Sequence, residues 1–310
     1  MRLFLGVDGG QSGTTALIGD DSGRILGRGD AGPCNHAGAA EGRAKLERAV
    51  RESVAMAAAQ AGLDPAAIHF EIACFGMSGG PDDKREILAA IVRADRWIVT
   101  NDAVIALAGA TDGGQGIITI AGTGSIAFGR HHDGRSARAG GWGYIFGDEG
   151  GAFDIARQAL RAALRMEEGW GPPTTLHAAL LEATSCASAN AALHQFYTPA
   201  WPRSRVATLA PLVDAAAVSA DAVAVQILNH AAQELAVLAG SVRSQLWQPG
   251  DGLDVAYIGG VFGSSFLLER FRLLVELEGG TRCIAPRFGP AEGALLESYA
   301  AAGLARRLAG

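Results

Sequence analysis

Two aspartates of this 310-residue chain stand where a buried β-strand is predicted to end, and both have the chemistry for phosphoryl transfer. Asp8 follows the apolar residues 3–7. Because Mg²⁺ keeps most of its waters and takes few protein ligands, one carboxylate beside a phosphate-binding turn suits a magnesium contact. Asp102 follows residues 97–99 and opens an apolar helix. It can cap this helix with one carboxylate oxygen and, with the other, act as a base that accepts the proton of an attacking hydroxyl. We predict that both carboxylates face Mg²⁺ and that Asp102 is the catalytic base.

Three glycine-rich segments each close a short β-branched run, at residues 8–15, 121–125 and 259–263. Without Cβ atoms in the way, backbone N–H groups of such turns can approach a polyphosphate closely. One such segment is a weak signal, because Asp-Gly and Gly-Gly are common in hairpin turns. Three in one chain predict a kinase or ATPase that uses ATP and Mg²⁺. The predicted nucleotide contacts are Gly9, Gly10, Ser12, Gly13, Thr14, Gly122, Thr123, Gly124, Gly259, Gly260 and Val261.

Polar and aromatic residues at further strand ends predict contacts to the hydroxyls of a sugar. Amide and acidic side chains pair with hydroxyl groups, and an aromatic ring offers an apolar face. The glycine-rich stretches 140–143 and 147–151 frame the start of a long helix. Glu149 is expected to complement the dipole of that helix, whereas Asp148 is expected to contact the ligand. The predicted substrate contacts are Asn35, His36, Ser78, Gly79, Ser125, Trp142 and Asp148.

The elements that position these residues are predicted to form a β-β-β-α-β-α-β-α cycle. A strand follows the first glycine turn, whereas a helix follows it in a dinucleotide-binding Rossmann unit. This difference argues against a Rossmann domain. The predicted strands of the first cycle are 2–8, 14–20, 24–29, 70–76 and 97–100, and its helices are 38–61, 82–94 and one that begins near Asp102.

A second, similar cycle begins near residue 114, so the chain is predicted to contain two duplicated α/β domains facing each other over a central cleft. The domains are predicted as residues 1–113 plus 291–310 and residues 114–290. The last helix is expected to return to the first domain. The predicted elements of the second cycle are strands 116–121, 124–130 and 135–139, helices from 149 to 247 that begin with 149–167, strand 254–259, helix 264–277, strand 281–285 and helix 290–308.

Composition is that of a soluble globular protein, with 49% hydrophobic and 19% charged residues. The net charge of −6 and the scattered arginines argue against nucleic acid as a partner, because phosphate backbones need clustered basic residues. The alanine-rich stretch 220–247 is predicted to be an amphipathic soluble helix, so no membrane partner is expected. The four cysteines lack metal-ligand spacing and indicate thiols in a reducing cytoplasm; they are Cys34, Cys74, Cys186 and Cys283.

Five segments resemble the N-acetylglucosamine kinase family, which is also the family of the BadF/BadG/BcrA/BcrD-type ATPases. This family belongs to the sugar kinase, actin and heat-shock chaperone superfamily. The resemblance runs nearly end to end, and the Gly-Gly-Trp-Gly and Gly-Asp-Glu-Gly pair is its most specific part. The segments are residues 6–14, 100–103, 120–125, 140–143 and 147–150.

The resemblance implies an actin-like ATPase fold, built from two ribonuclease H-like domains with mixed five-stranded sheets flanked by helices. It implies MgATP-dependent phosphorylation of the 6-hydroxyl of an amino sugar. By the same resemblance Asp102 matches the base, and Asn35, Asp148 and the turn 78–79 match sugar-contacting positions. A homodimer through the helical part of the second domain is also expected from the family.

Three alternatives stay open at this point. Ile126 stands where animal N-acetylglucosamine kinases carry a polar residue, so glucosamine or another hexose derivative is an alternative acceptor. An ATPase that activates a CoA-ester reductase or dehydratase shares the fold, but it needs cysteines that converge on an iron–sulfur cluster. A non-catalytic sugar sensor is disfavoured, because Asp102 is present.

Overall fold

The chain divides into two compact units, Met1–Gly116 with Ala285–Gly310 and Ile117–Ile284. The crossings between the units therefore lie after residues 116 and 284, where the sequence placed them after 113 and 290. The structure is a computed structural model, and it describes residues 1–10, 13–34, 39–78, 84–304 and 308.

The first unit contains one mixed sheet. Its strands are β1 (Leu3–Gly9), β2 (Thr14–Asp20), β3 (Ile25–Ala31), β4 (Phe70–Met77) and β5 (Ala94–Asn101). They are ordered β3-β2-β1-β4-β5. β1 pairs antiparallel with β2 and parallel with β4, and β4 pairs parallel with β5. β1 and β4 are apolar and buried along nearly their whole length, as expected of strands covered on both faces.

The second unit repeats this arrangement. Its strands are β6 (Gly116–Ala121), β7 (Ser125–Arg130), β8 (Ser136–Gly140), β9 (Leu253–Ile258) and β10 (Thr281–Ile284). The order β10-β9-β6-β7-β8 matches that of the first sheet, with β6 in the place of β1. β6, β9 and β10 are parallel, and β7 pairs antiparallel with β8. The predicted duplication of a mixed five-stranded α/β unit is confirmed.

Helices cover both sheets. They are α1 (Ala39–Gln60), α2 (Arg85–Ile91), α3 (Asp102–Ala110), α4 (Ala152–Glu167), α5 (Leu176–Thr184), α6 (Ala189–Phe196), α7 (Arg203–Ala207), α8 (Ala210–Val218), α9 (Ala222–Leu246), α10 (Ser265–Glu276) and α11 (Pro290–Ala301). Leu46 of α1 joins a core with Leu5 of β1. Tyr299 of α11 packs edge-on against Phe4 of β1, with ring centroids 4.9 Å apart, so the last helix returns to the first unit.

Helix α9 is long and apolar enough to span a membrane by length and composition, with a mean hydropathy of 1.2 in its most apolar window. One such helix is weak evidence, because core helices of soluble proteins pass the same test. Leu228, Leu235 and Val242 lie in the core of the second unit. Asp221 caps the helix by accepting the N–H groups of Val223 and Ala224 at 3.0 Å. These contacts assign α9 to the core of its unit.

Several predicted boundaries are wrong, and local conformation explains two of them. The predicted helix 149–167 begins at Ala152, because Asp148 and Gly150 have φ angles of 64° and 74°, which no α-helix accommodates. The predicted helix 82–94 ends at Ile91, because Val92 is extended. Phe70 then donates its N–H to Arg93 O at 3.0 Å, and this pairing recruits residues 94–96 into β5.

Glycine allows α3 and α11 to approach within backbone contact. A Cβ at Gly293 would overlap the carbonyl oxygen of Ile105 and would lie 2.5 Å from the nitrogen of Gly109. A Cβ at Gly109 would overlap the carbonyl oxygen of Gly289. Because the atoms in the way belong to the backbone, any larger residue must shift a helix.

We expect Gly293→Ala to lower the free energy of unfolding by about 1–3 kcal/mol, since overpacking forces the backbone to move. Gly240→Ala is the matched control, because a Cβ there, also within a helix, meets nothing within 4 Å. That control should be neutral or should raise the free energy of unfolding by roughly 0.5–1 kcal/mol through helix propensity. Urea unfolding followed by circular dichroism measures both, and equal midpoints for the two variants would contradict this account of the packing.

Candidate active site

The register of the first sheet brings Asp8 and Asp102 to the same edge. Asp8 is paired with Gly76 of β4, and Gly76 is paired with Thr100 of β5. β4 therefore lies between the two strands, whose backbones are about 10 Å apart at the usual strand spacing. Ser78 follows β4 between them and donates its N–H to Gly9 O at 3.0 Å. The predicted magnesium residue and the predicted base thus share the carboxyl ends of one parallel set of strands.

The first glycine turn joins β1 to β2. Gly10 donates its N–H to Gly13 O at 2.9 Å, which closes the turn on itself. Thr14 is buried, and its hydroxyl donates to Gly32 O at 2.9 Å, so this hydroxyl holds the turn to the segment after β3. The predicted contacts that lie outside the described residues are Ser12, Asn35, His36 and Gly79.

The cap of α3 belongs to Asn101 and not to Asp102. The Asn101 side chain accepts the N–H of Val104 at 3.0 Å, and Asp102 is the first residue of the helix. The interpretation of Asp102 as an N-cap is therefore wrong, because the residue before it already fills that role. The Asp102 carboxylate still accepts the backbone N–H groups of Asp102 and Ala103 at the start of the helix.

The carboxyl of Asp8 has its pKa raised to about 7. Burial is the main cause, because it disfavours the charged form, and the nearby carboxylates of Asp102 and Glu292 add repulsion. Glu292 lies in the first turn of α11 and also pairs with Arg28 at 3.7 Å. It was not predicted as a site residue, because an acidic residue near a helix start is ordinarily explained by the helix dipole.

The pKa of Asp102 is also raised by burial, while hydrogen bonds from backbone N–H groups and the charge of Lys84 act in the opposite direction. Lys84 is only 2% exposed, and lysine is rarely buried to that degree. Its charge also lowers the pKa of the Cys34 thiol against the larger effect of burial. Lys84 was not predicted either, because a lysine in the polar stretch 82–86 looks like a surface residue.

The acidic residues at this edge fit a magnesium ion bound together with a nucleotide. Mutual repulsion of the Asp8 and Asp102 carboxylates is the kind of imbalance that a divalent cation offsets. Within the described ranges no group of three or more His, Cys, Asp or Glu side chains is suited to hold a metal alone. Mg²⁺ needs no such cage, because it uses one or two carboxylates, water and phosphate oxygens.

In the second unit, the glycine turn between β6 and β7 is tied to the start of α4. Gly122 donates its N–H to Gly124 O at 3.0 Å. The carbonyl groups of Gly122 and Thr123 accept the N–H groups of Ala152 at 2.8 Å and Phe153 at 3.1 Å. A Cβ at Gly122 would meet nothing within 4 Å, so the turn has an open side at this residue.

Two predicted sugar contacts of the second unit, Ser125 and Trp142, differ in burial and in their contacts with the rest of the protein. Ser125 is buried, and its hydroxyl donates to Glu149 O at 2.6 Å. Trp142 is 64% exposed, and the guanidinium of Arg138 stacks on its ring at 4.7 Å. Ile126 packs under Gly141, where a Cβ would lie 2.8 Å from Ile126 Cδ1.

The sequence predicted that Glu149 complements the dipole of α4, and this prediction is wrong. α4 begins later, and the acidic residue in its first turn is Asp154. This carboxylate accepts the N–H of Gly150 at 3.2 Å and a hydrogen bond from Arg157 at 2.6 Å. The left-handed residues before α4 push its start, and therefore its dipole, beyond Glu149.

Asp148 is 6% exposed and forms an ion pair with Arg203, the first residue of α7. The guanidinium lies 5.4 Å from the ring centroid of Tyr144 and 5.8 Å from that of Phe153. Arg203 was not predicted from the sequence. The only nearby signal was the proline-marked irregular patch before α7, which carries no information about a partner in another segment.

The third glycine segment follows β9. Gly259 has a φ of 115°, and a Cβ there would overlap the backbone of Ala121. Gly260 opens a single 3₁₀ turn, Gly260–Gly263, and has open space where a Cβ would stand. The side chain of Val261 lies in the core of the unit. Of these three residues, Gly260 has open space beside its Cα.

Known proteins are similar to this sequence over most of its length. A profile of the BadF/BadG/BcrA/BcrD ATPase family matches residues 5–298. An N-acetylmuramic acid/N-acetylglucosamine kinase from Clostridium acetobutylicum is 31% identical over 283 residues, which are 89% of this chain and 91% of that protein. An N-acetyl-D-glucosamine kinase from Dictyostelium discoideum is 30% identical over 285 residues, with 84% and 85% covered.

A solved structure agrees with these matches. A candidate N-acetylglucosamine kinase from Chromobacterium violaceum is 28% identical, with a TM-score of 0.77 over 96% of this chain and 98% of that one. The predictions of an actin-like ATPase fold and of an ATP-dependent phosphotransferase are confirmed. Since the family profile spans most of the chain and a relative above 30% identity aligns over most of both proteins, this chain belongs to the BadF/BadG/BcrA/BcrD ATPase family.

Proposed function

We propose that the chain is an amino-sugar kinase that transfers the γ-phosphate of ATP to the 6-hydroxyl of N-acetylglucosamine or glucosamine. Two relatives at 30% identity or above are kinases of N-acetylglucosamine, and one of them also acts on N-acetylmuramic acid. These names support the class of acceptor. The choice between the acetylated and the free amino sugar is part of the proposal.

The observation that carries the proposal is the position of the Asp102 carboxylate. Asn101 caps α3, and Asp102 stands at the carboxyl end of β5 as the first residue of that helix, with its carboxylate bonded to the backbone N–H groups of Asp102 and Ala103. The acceptor hydroxyl hydrogen-bonds to this carboxylate and its oxygen attacks the γ-phosphorus. The bond from phosphorus to the bridging oxygen of ADP breaks, and the hydroxyl proton passes to Asp102 late in the step. A raised pKa makes the carboxylate a better proton acceptor.

The glycine turns serve the phosphates in this scheme. The N–H groups of Gly10 and Gly122 already donate within their turns. Other backbone N–H groups of the two turns are therefore assigned to the phosphates, where prearranged donors lower the barrier without having to reorganise. Bound Mg²⁺ supplies further neutralisation of the phosphate oxygens. Asp8 and Asp102 would hold it, through its water ligands.

Sugar recognition is assigned to the remaining predicted residues. Asp148 accepts hydrogen bonds from sugar hydroxyls, and the exposed ring of Trp142 offers an apolar face. Asn35, His36 and the turn 78–79 stay predictions from the sequence. The Ser125 hydroxyl is bonded to the backbone, so its contribution is to hold the turn.

An ATPase activator of a CoA-ester reductase or dehydratase is the alternative function, and no contact described above favours it. Cluster ligation needs thiolates that converge at a surface. Cys34, Cys74 and Cys283 are buried, and burial raises the pKa of each thiol, that of Cys283 to about 11. All three therefore favour the neutral thiol. A cytoplasmic location and a homodimer through the helical part of the second unit also stay predictions from the sequence.

We expect Asp102→Asn to lower kcat by about 10²–10⁴, because the amide keeps the size of the side chain but cannot accept the proton. The measurement is ADP release coupled to a dehydrogenase, with MgATP and glucosamine, N-acetylglucosamine, N-acetylmannosamine, N-acetylmuramic acid or glucose. Thermal unfolding of both proteins checks that the variant is folded. A folded variant that keeps wild-type kcat on the preferred sugar would rule out Asp102 as the base.

The raised pKa of Asp8 predicts a pH-dependent stability of the metal-free protein. The pKa is about 7 in the folded chain against 3.8 for an ordinary aspartate, so the folded state holds the proton more strongly. The contribution of Asp8 is therefore present below pH 4 and is lost as the pH rises through 7. Asp8→Asn cannot ionise and should raise the urea midpoint at pH 8 by clearly more than at pH 5, because the loss grows from about pH 4 to pH 7.

Magnesium provides the second arm of this test. With MgADP present at pH 8, the wild-type midpoint should rise more than that of Asp8→Asn, because the cation and nucleotide bind the folded state. The same urea titration measures both arms. If MgADP raises the urea midpoint of both proteins equally, Asp8 does not contribute to magnesium binding.

A further inference from the structure

We propose that Arg203 is a positioning residue of the sugar site, which holds the buried Asp148 carboxylate against the glycine turn so that it can accept a sugar hydroxyl. This inference rests on the proposed function, because it assigns Arg203 a role only through a sugar contact of Asp148. Asp148, Arg203 and the residues in contact with them all lie in the second unit.

Asp148 is a buried carboxylate in an unfavourable backbone conformation. It is 6% exposed, and its φ of 64° lies in the left-handed region that side-chain-bearing residues seldom occupy. A carboxylate buried to this degree must be paired to stay charged. Asp148 O also accepts the N–H of Gly151 at 3.1 Å, which fixes the peptide on that side. The backbone conformation and the burial together restrict where the Asp148 carboxylate can lie.

Arg203 supplies the countercharge and sets the direction. Its Nη2 pairs with Oδ2 of Asp148 across the backbone of Gly124. A Cβ at Gly124 would overlap Asp148 Oδ2 and would lie 2.5 Å from Arg203 Nη2. The ion pair therefore rests on the same turn whose neighbouring residues are assigned to phosphate.

The guanidinium of Arg203 lies near two aromatic rings and has one donor without a partner in the part of the protein that the structure describes. The rings of Tyr144 and Phe153 lie 5.4 and 5.8 Å from it, within the range of cation–π attraction. Nε of Arg203 is buried and has no hydrogen-bond partner among the described residues. A buried donor without a protein partner calls for a water or a ligand oxygen. The pair thus contains one donor that the described residues leave unsatisfied.

Arg205 provides a matched control on the same helix. Its guanidinium also stacks on an aromatic ring, that of Trp201 at 4.2 Å, and it donates to Ala200 O at 2.9 Å. Within the described part of the chain, Arg205 makes no contact with Asp148 or Gly124. Loss of a stacked arginine from α7 can therefore be separated from loss of the Asp148 partner.

The test compares Arg203→Met, Arg203→Lys, Asp148→Asn, the double variant Asp148→Asn with Arg203→Met, and Arg205→Met in the coupled ADP-release assay. We expect Arg203→Met to raise the KM for the preferred sugar by about tenfold or more, with the KM for ATP within about twofold. Arg203→Lys keeps the charge but not the fork and should recover part of the loss. Arg205→Met should match the wild type.

The double variant separates positioning from a general structural role. If Arg203 acts through Asp148, the double variant should be no worse for the sugar than Asp148→Asn alone. The double variant also contains no unpaired buried charge. If Arg203→Met does not fold, the double variant and Arg203→Lys are used to test the proposal. Additive losses, or equal losses in the KM for sugar and for ATP, would overturn the proposal. So would a folded Arg203→Met with wild-type sugar kinetics.

Failure of the proposed function has a different signature. A wild-type protein that releases no ADP in response to any sugar of the panel overturns the kinase proposal, and this inference with it. A wild-type protein that turns over a sugar while Arg203→Met does so equally well overturns the role of Arg203 alone.

Discussion

The parallel pairing of β1, β4 and β5 is the constraint on which the chemistry of the first unit depends. Since the three strands run in one direction, their carboxyl ends meet at one edge, and the register places Asp8, Ser78 and Asp102 there together. A slip of one residue would turn each side chain to the opposite face. The buried apolar strands fix the register, so core packing and site geometry are set by the same interactions.

The two units use one strand order to create opposite electrostatic surroundings for a carboxylate beside a glycine turn. Asp8 lies near the carboxylates of Asp102 and Glu292, which favour its neutral form. Asp148 lies against the guanidinium of Arg203, which compensates its charge. The first arrangement leaves negative charge in need of a cation, whereas the second is neutral in itself. Duplication of a fold therefore does not duplicate its electrostatics, because the partners come from segments outside the repeated strands.

The sequence predicted the sheets and the glycine turns well, because both have local signals. Apolar runs followed by glycine mark the strand ends, and each predicted strand is present within a few residues. Long-range partners have no such signal. Lys84, Arg203 and Glu292 act on residues far away in the chain, and none was predicted as a site residue.

The partners of hydroxyl groups are also difficult to predict from the sequence. Thr14 and Ser125 were predicted as ligand contacts from their positions in glycine turns. The hydroxyl groups of both donate to carbonyl oxygens of other segments, Gly32 and Glu149. Residue type and spacing identify a donor, but only the fold decides which acceptor lies within reach. Helix starts failed for a related reason, since left-handed residues such as Asp148 delay a helix that composition alone would begin earlier.

The raised pKa of Asp8 has a consequence for calorimetry. With a pKa of about 7, this carboxyl carries a proton in a large share of molecules near neutral pH. A ligand that requires the ionised form must expel that proton into the buffer, and the heat of buffer protonation then adds to the heat of binding. The apparent binding enthalpy would consequently vary with the buffer, while the affinity at a fixed pH would not. The number of protons released per ligand is thus measurable without any turnover.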